Sequence, residues 1–420
     1  MLDPRGFLVS LFDAAVAAAD ADCAPCAPAC RKKPKGRTVV VGAGKGAAHL
    51  ARALEHAWPD PLEGVIVTRY GYGVACENIE VLEAGHPVPD AAGLVASGRL
   101  LSAVSGLSED DLVIALICGG GSSLLPAPAE GLTLTDEIEL NKVLLSSGAP
   151  ISAMNTIRKH VSRIKGGRLA VAAWPARVAS LIVSDIPGDN PAAVASGPTV
   201  ADATGPQEAL AAIRRYGISV SEKIIRHIEG CGSAAPLPDD PRLLRNTHQI
   251  IASSAVSLEA AAAKAAAAGI PAVILSDSVE GEAREAANMH AAIAREVMNK
   301  NRPFSKPVVL LSGGETTVTI SGSGKGGRNS EFLLSLALGI DGHENIHALA
   351  ADTDGIDGSE DNAGAFADGS TVARLRKAGV DPAAFLSNND AWTAFNAVDD
   401  LFVPGPTGTN VNDFRAILLL

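Results

Sequence analysis

The sequence predicts an α/β fold of two domains, a Rossmann-like parallel sheet flanked by helices and then a smaller α/β domain. Three observations predict it. Apolar, β-branched runs alternate with helical patterns along the 420 residues, and repeated β–α order means a parallel sheet covered on both faces. Five apolar runs end in polar, glycine-rich loops, the place where open α/β sheets bind ligands. Between residues 201 and 246 the regularity lapses into a Gly/Pro-rich stretch, which reads as a loop or a domain boundary. The domains are accordingly drawn at 1–245 and 246–420.

The elements follow in order. "MLDPRGFLVSLFDAAVAAAD" opens the chain with acidic residues and no basic leader, so it reads as an amphipathic helix and not a signal peptide. "RTVVVGA" (37–43) is a buried-strand pattern. The helix "AAHLARALEHA" follows, then the strand "GVIVTRY" (64–70) and the short "IEVLEAG" (79–85), an edge candidate. A helix over 92–107 leads to the strand "DLVIALICGGGSS" (111–123). Residues 134–173 are largely helical, and "RVASLIVSDIPGDN" (177–190) is a strand ending in acidic residues. Beyond the irregular stretch, "HQIIAS" and "AVILS" each precede an alanine-rich helix. "PVVLLSGGETTVTI" (307–320), "NIHALAAD" (345–352) and "FRAILLL" complete the strand candidates.

Composition narrows the function. The chain is 47% hydrophobic, only 4% aromatic, and carries a formal charge of −12. That charge argues against a nucleic-acid partner, which needs a basic surplus to neutralise backbone phosphates. No apolar run is long enough to span a bilayer, so the expectation is a cytoplasmic enzyme. Cys23, Cys26 and Cys30 cluster in "CAPCAPAC". A fourth nearby metal ligand is missing, so a surface linker is the favoured reading over a metal site. Cys76, Cys118 and Cys231 are scattered and read as reduced thiols.

The loops carry the chemistry. Gly42, Gly44 and Ala47 fit the loose G-x-G-x-x-G/A form, while Lys45 within that turn is foreign to it. "CGGGSS" offers Gly119, Gly120, Gly121, Ser122 and Ser123, and "SGGET" offers Gly313, Gly314 and Glu315. "GKGGRNSE" (324–331) joins glycines to Lys325 and Arg328. Several such loops favour phosphate chemistry. Asp185 and Asp189 in one acidic loop, Glu315 in "SGGET" and Asp352 in a further loop are candidate carboxylates for Mg²⁺, which takes one or two carboxylates plus substrate phosphates. Asp357 and Asp361 read as turn formers. "MNTIRKHVSRIKGGR" (154–168) is strongly basic. A solvated helix face is the default there, and an anion pocket using Arg158 and Lys165 is the second reading. His86 and His160 have no metal-ligand neighbours and are given structural roles.

Taken together, "VVVGAGKGAA", "EAGHPVPD", "GGGSSLLPAPAEGLTL", "NTIRKHVSRIKGGRLA", "VSDIPGDNPAAVASGPTV", "LSGGETTVTISGSGKGGRNSEF", "AADTDGIDGSEDNAGAFADGST" and "PTGTNVND" cover nearly the whole chain. In these segments it resembles the class II glycerate kinases, the glycerate 2-kinases of the MOFRL group. The resemblance implies ATP-dependent phosphorylation of D-glycerate at its 2-hydroxyl, with two α/β domains and the active site in the cleft between them. It places Lys45 and Arg328 at that site. Cys118, where the family usually has a small residue such as Ser, and "CAPCAPAC" depart from the pattern.

On this reading Gly42, Gly44, Gly46, residues 119–123, Gly313 and Gly314 hold phosphates, and Lys45 and Arg328 meet charge on the transferred group. Mg²⁺ joins ATP to a carboxylate. The partners are ATP and D-glycerate, with a homodimer left open. The alternative from the same family is an NAD(P)H-dependent hydroxypyruvate reductase. Such an enzyme of the NAD-binding type wants an acidic residue about 20 positions past the glycine turn, and Thr68 and Arg69 stand there. A non-catalytic sugar-phosphate-binding protein is the third reading. It would not need Asp185, Glu315 and Asp352.

Overall fold

The computed structural model describes residues 2–20, 33–230 and 234–420. The chain forms two compact units, one of residues 21–251 and one of residues 1–20 with 252–420. The sequence division at 245/246 differs in two ways. The chain changes units a few residues later, and the first helix belongs with the C-terminal unit. Cys23, Cys26, Cys30 and Cys231 lie outside the described residues, whereas Cys76 and Cys118 are free thiols. Among the described residues no helix is long and apolar enough to cross a membrane.

The unit of residues 21–251 holds strands β1 (Thr38–Ala43), β2 (Glu63–Arg69), β3 (Ile79–Ala84), β4 (Leu112–Cys118), β5 (Arg177–Val183) and all but the last residue of β6 (Thr247–Ala252), in the order β3-β2-β1-β4-β5-β6. β1 runs parallel to both β2 and β4, and β3 is the edge that its short run suggests. Every residue of β1 and β4 is buried, because helices cover both faces. Val39, Val41 and Val113 face one apolar cluster, and Val40, Leu112 and Ile114 face the other. This order reverses direction between β1 and β4, and that switch point is where doubly wound sheets open a crevice.

The second unit contains β7 (Ala272–Glu282), β8 (Val308–Thr317), β9 (Ile346–Asp352), β10 (Gly364–Asp368), β11 (Leu401–Phe402) and β12 (Asp413–Leu419). Their order is β11-β10-β9-β12-β8-β7. β7 and β8 are parallel, and β12 pairs antiparallel with β8 and β9. This second sheet is therefore mixed. The antiparallel β12 brings its first residue, Asp413, opposite Gly314 within β8 and Asp352 at the end of β9. The helix Pro4–Ala18 buries Phe7, Leu8, Leu11, Phe12 and Ala15 in this unit's core, the one-face spacing expected of its sequence.

Candidate active site

β1 ends at Ala43 and the turn Gly44–Gly46 leads into the helix Ala47–Ala57. Gly44 has φ +134, and a Cβ there would fall 2.5 Å from the Cys118 carbonyl oxygen, so only glycine lets the turn lie against β4. The Lys45 backbone is fixed on both sides. Its N–H donates to the Gly119 carbonyl at 3.0 Å, and its carbonyl accepts from Thr68 Oγ1 at 3.1 Å. The Lys45 side chain is partly exposed and crosses the neighbouring loop, with Cγ 3.3 Å from where a Gly120 Cβ would stand.

That second loop follows β4. Gly120 has φ +79, and its missing Cβ leaves room for His86, whose Nε2 would be 2.9 Å away. A Cβ on Gly119 would overlap the Asp185 carboxylate, so the acid at the end of β5 lies directly against the loop. Burial, then the charges of Lys45 and Arg69, push His86 down to about 4, which leaves its imidazole neutral near pH 7. Burial and the Asp185 carboxylate hold the Cys118 thiol well above its usual range. Ser122 and Ser196 hydroxyls are 2.6 Å apart, and Ser123 donates to the Gly120 carbonyl at 3.2 Å. Lys45, the 119–123 loop, Asp185 and His86 therefore meet at the switch point. The sequence reading missed His86, and its signal was the segment "EAGHPVPD". Asp189 stands in the same acidic loop as Asp185, at φ +49 after Gly188.

Other candidates sit elsewhere. Gly42 is a residue of β1, paired with Ile66 and Leu116. Gly313 and Gly314 are residues of β8 paired with Phe414 and Asp413; they form no loop, and a Cβ on Gly313 would overlap Ser254. The basic stretch 158–168 is neither a solvated face nor an open anion pocket. Lys165 is 1% exposed and donates to Glu137 at 2.6 Å and to the Leu125 carbonyl at 2.9 Å. Arg158 donates to Asn141 at 2.9 Å and to Asn155 at 3.2 Å. Lys159 pairs with Asp202, and Arg168 donates to the carbonyls of Lys159 and Lys165. Burial pulls both Arg158 and Arg168 down to about 10, which keeps them charged at neutral pH.

In the other unit, Arg328 opens the helix Arg328–Gly339. Its Nε donates to Asp413 Oδ1 at 2.6 Å, Nη1 to Glu315 at 3.1 Å and Nη2 to Asp352 at 2.6 Å. Burial opposes the charge on Arg328, but Asp413, Asp352 and Glu315 outweigh it and raise its pKa. Burial also raises the Asp352 carboxyl well above its ordinary value, against the pull of Arg328. Asp413 keeps a lowered pKa despite complete burial, because Arg415 and Arg328 flank it. Asp357 is buried at the helix start, where it accepts from the Asn329 and Ser330 N–H groups at 2.9 and 2.8 Å. It is a helix cap and more than a turn former. Asp413 and Arg415 were not singled out from sequence, although "PTGTNVND" contains the first. Among the described residues no group of three or more His, Cys, Asp or Glu side chains could hold a metal ion.

Two family models match the chain. "Domain of unknown function (DUF4147)" covers residues 7–229 and "MOFRL family" covers residues 308–413. A D-glycerate 2-kinase of Thermotoga maritima is 41% identical over 380 residues, which is 90% of this chain and 89% of that protein. The crystal structure of glycerate kinase from Thermotoga maritima superposes with a TM-score of 0.89 at 37% identity, covering 99% of both chains. The chain belongs to the MOFRL glycerate kinase family. The same family includes a protein of Agrobacterium vitis named "Putative hydroxypyruvate reductase", 51% identical over 418 residues, or 99% of this chain and 94% of that one. Both names thus attach to MOFRL-type sequences.

Proposed function

We propose that this chain transfers the γ-phosphoryl group of ATP to the 2-hydroxyl of D-glycerate, giving 2-phosphoglycerate by in-line displacement. The observation that carries it is the pairing of Lys45 with the 119–121 glycine loop at the switch point of the first sheet. Phosphoryl transfer asks little covalent work of the protein. It asks for positioning and for charge placed against the phosphate oxygens. The Lys45 backbone N–H is already spent on Gly119, so its ammonium is the group offered to a phosphate. The glycine backbones of Gly44, Gly46 and residues 119–121 allow close approach of an anion.

The residues fit a divalent cation delivered with the nucleotide. Mg²⁺ uses one or two carboxylates and keeps phosphate and water for its other positions. Asp185 supplies a carboxylate at the loop, with Asp189 nearby in sequence, and the ion would neutralise charge on the phosphates. Arg328 is assigned to charge on the transferred group, since each Nη carries a second N–H beyond the bonds to Glu315 and Asp352. Glu315, Asp352 and Asp413 hold its plane. Lys165, Gly313 and Gly314 are given to the fold, and Arg158 to the support of the loop.

The reductase reading fits less well. At the end of β2, where a carboxylate binds ribose in NAD-type sheets, stand Arg69 and Thr68, the latter buried and bonded to the Lys45 carbonyl. The test is an assay of purified protein. D-Glycerate, ATP and Mg²⁺ should yield ADP and 2-phosphoglycerate, while hydroxypyruvate with NADH or NADPH should give no turnover. Oxidation of NAD(P)H without ATP consumption would overturn the proposal.

A further inference from the structure

Ser122 is partly exposed in the loop after β4, and its Oγ lies 2.6 Å from that of buried Ser196. Which oxygen gives the proton is decided deeper in the unit. The Asn155 Nδ2 donates to the Ala193 carbonyl at 3.0 Å, and its Oδ1 accepts from Arg158 Nη1 at 3.2 Å. A carbonyl can only accept and a guanidinium can only donate, so the amide has one orientation. Asn155 Oδ1 then accepts from Ser196 Oγ, 2.9 Å away, which uses the single hydroxyl proton of Ser196. Ser196 in turn accepts from Ser122, and the Ser122 proton is used as well. Ser122 therefore presents lone pairs to the site. The chain is held by unusual backbone, since buried Ala195 and Ser196 have φ of 52° and 61°, a left-handed conformation that non-glycine residues adopt at a cost.

We infer that Arg158, Asn155 and Ser196 fix Ser122 as a hydrogen-bond acceptor for the hydroxyl of the alcohol substrate, so that Ser122 aims this hydroxyl at the phosphoryl group. This rests on the kinase reading above and deepens it. A fully ionised phosphate has no proton to give Ser122, so the serine does not share the phosphate with the glycines beside it. An alcohol does have one. Arg158, Asn155 and Ser196 are positioning residues, because they act through Ser122.

The test uses Ser196→Gly in the full chain. Glycine removes the hydroxyl and relieves the left-handed backbone, so the melting temperature should stay level or rise. Binding of D-glycerate is compared by calorimetry with that of 3-hydroxypropionate, the same acid without its 2-hydroxyl. The wild type should prefer D-glycerate by about tenfold, the worth of one hydrogen bond. In Ser196→Gly that preference should shrink to about twofold or less, with kcat lowered and KM for ATP unchanged. Ser122→Ala should lose the same preference, and the double variant should lose little more. An unchanged preference in Ser196→Gly, or a loss confined to the KM for ATP, overturns the inference. Failure of the wild type to phosphorylate D-glycerate would instead defeat the kinase reading, so the two failures are distinguishable.

Discussion

A lysine in a strand-to-helix turn can have its backbone and its side chain set by different neighbours. In Lys45 the backbone is bonded to Gly119 and Thr68, while the side chain passes over the 119–121 loop. Replacing the side chain should therefore leave the turn intact. Lys45→Met should change stability by well under ~1 kcal/mol, as surface substitutions do. Its kcat/KM should fall by roughly 10²-fold or more, about 3 kcal/mol of transition-state stabilisation. Lys45→Arg should restore only part of that, because a planar fork does not replace a compact ammonium. Steady-state kinetics beside melting temperatures check this, and near-normal kcat/KM in Lys45→Met would return the residue to a structural role. His86 shows what single residues hide. Its isolation from other histidines and cysteines in sequence says nothing of its place beside Gly120 and Lys45, which comes from β3 ending next to β2.

At the scale of elements, the helix Arg328–Gly339 owes its start to a residue of another loop. Asp357 takes two N–H groups and the Ser330 hydroxyl and is 1% exposed. Asp357→Ala would leave buried donors unpaired and should cost about 2 kcal/mol, read as a lower urea midpoint. It should also loosen Arg328, so activity should fall beyond what the stability loss explains. An unchanged midpoint would show that the helix caps itself. Such dependences mark the limit of what the sequence discloses. The alternation of runs disclosed β1, β2, β4, β5 and the glycine loops at their ends, because a strand buried on both faces must be continuously apolar. The basic run 158–168 misled, because its partners Asn141, Glu137 and Asp202 are 17, 28 and 43 residues away from Arg158, Lys165 and Lys159. Composition marks charge as solvated when nothing local neutralises it. "SGGET" reads as a loop because glycine within a strand carries no pattern, whereas Gly313 and Gly314 lie inside β8. Asp413 was invisible for another reason, as only the antiparallel pairing of β12 with β8 and β9 sets it beside Arg328.

For the whole molecule, the first helix is the instructive part, because its residues belong with segments that begin at 252. Phe7, Leu8, Leu11 and Phe12 bury their side chains among Leu258, Leu349 and Phe414, each contributing roughly 1.5–3 kcal/mol. Their sum rivals the 5–15 kcal/mol that typically separates folded from unfolded states. A chain beginning at residue 21 should accordingly lose cooperative unfolding of the C-terminal unit while the 21–251 unit keeps its own, seen as two-phase urea curves. Adding a peptide of residues 2–20 should restore the transition. A truncated chain with the full-length midpoint would show the helix to be dispensable. The same arrangement sets a timetable during synthesis. At about 5–20 residues per second, roughly ten seconds to a minute pass between the emergence of this apolar helix and that of Leu258, and longer still before Phe414 arrives. Over that interval its Phe and Leu side chains have no native cover, so a chaperone that shelters short apolar segments would find a client in this helix.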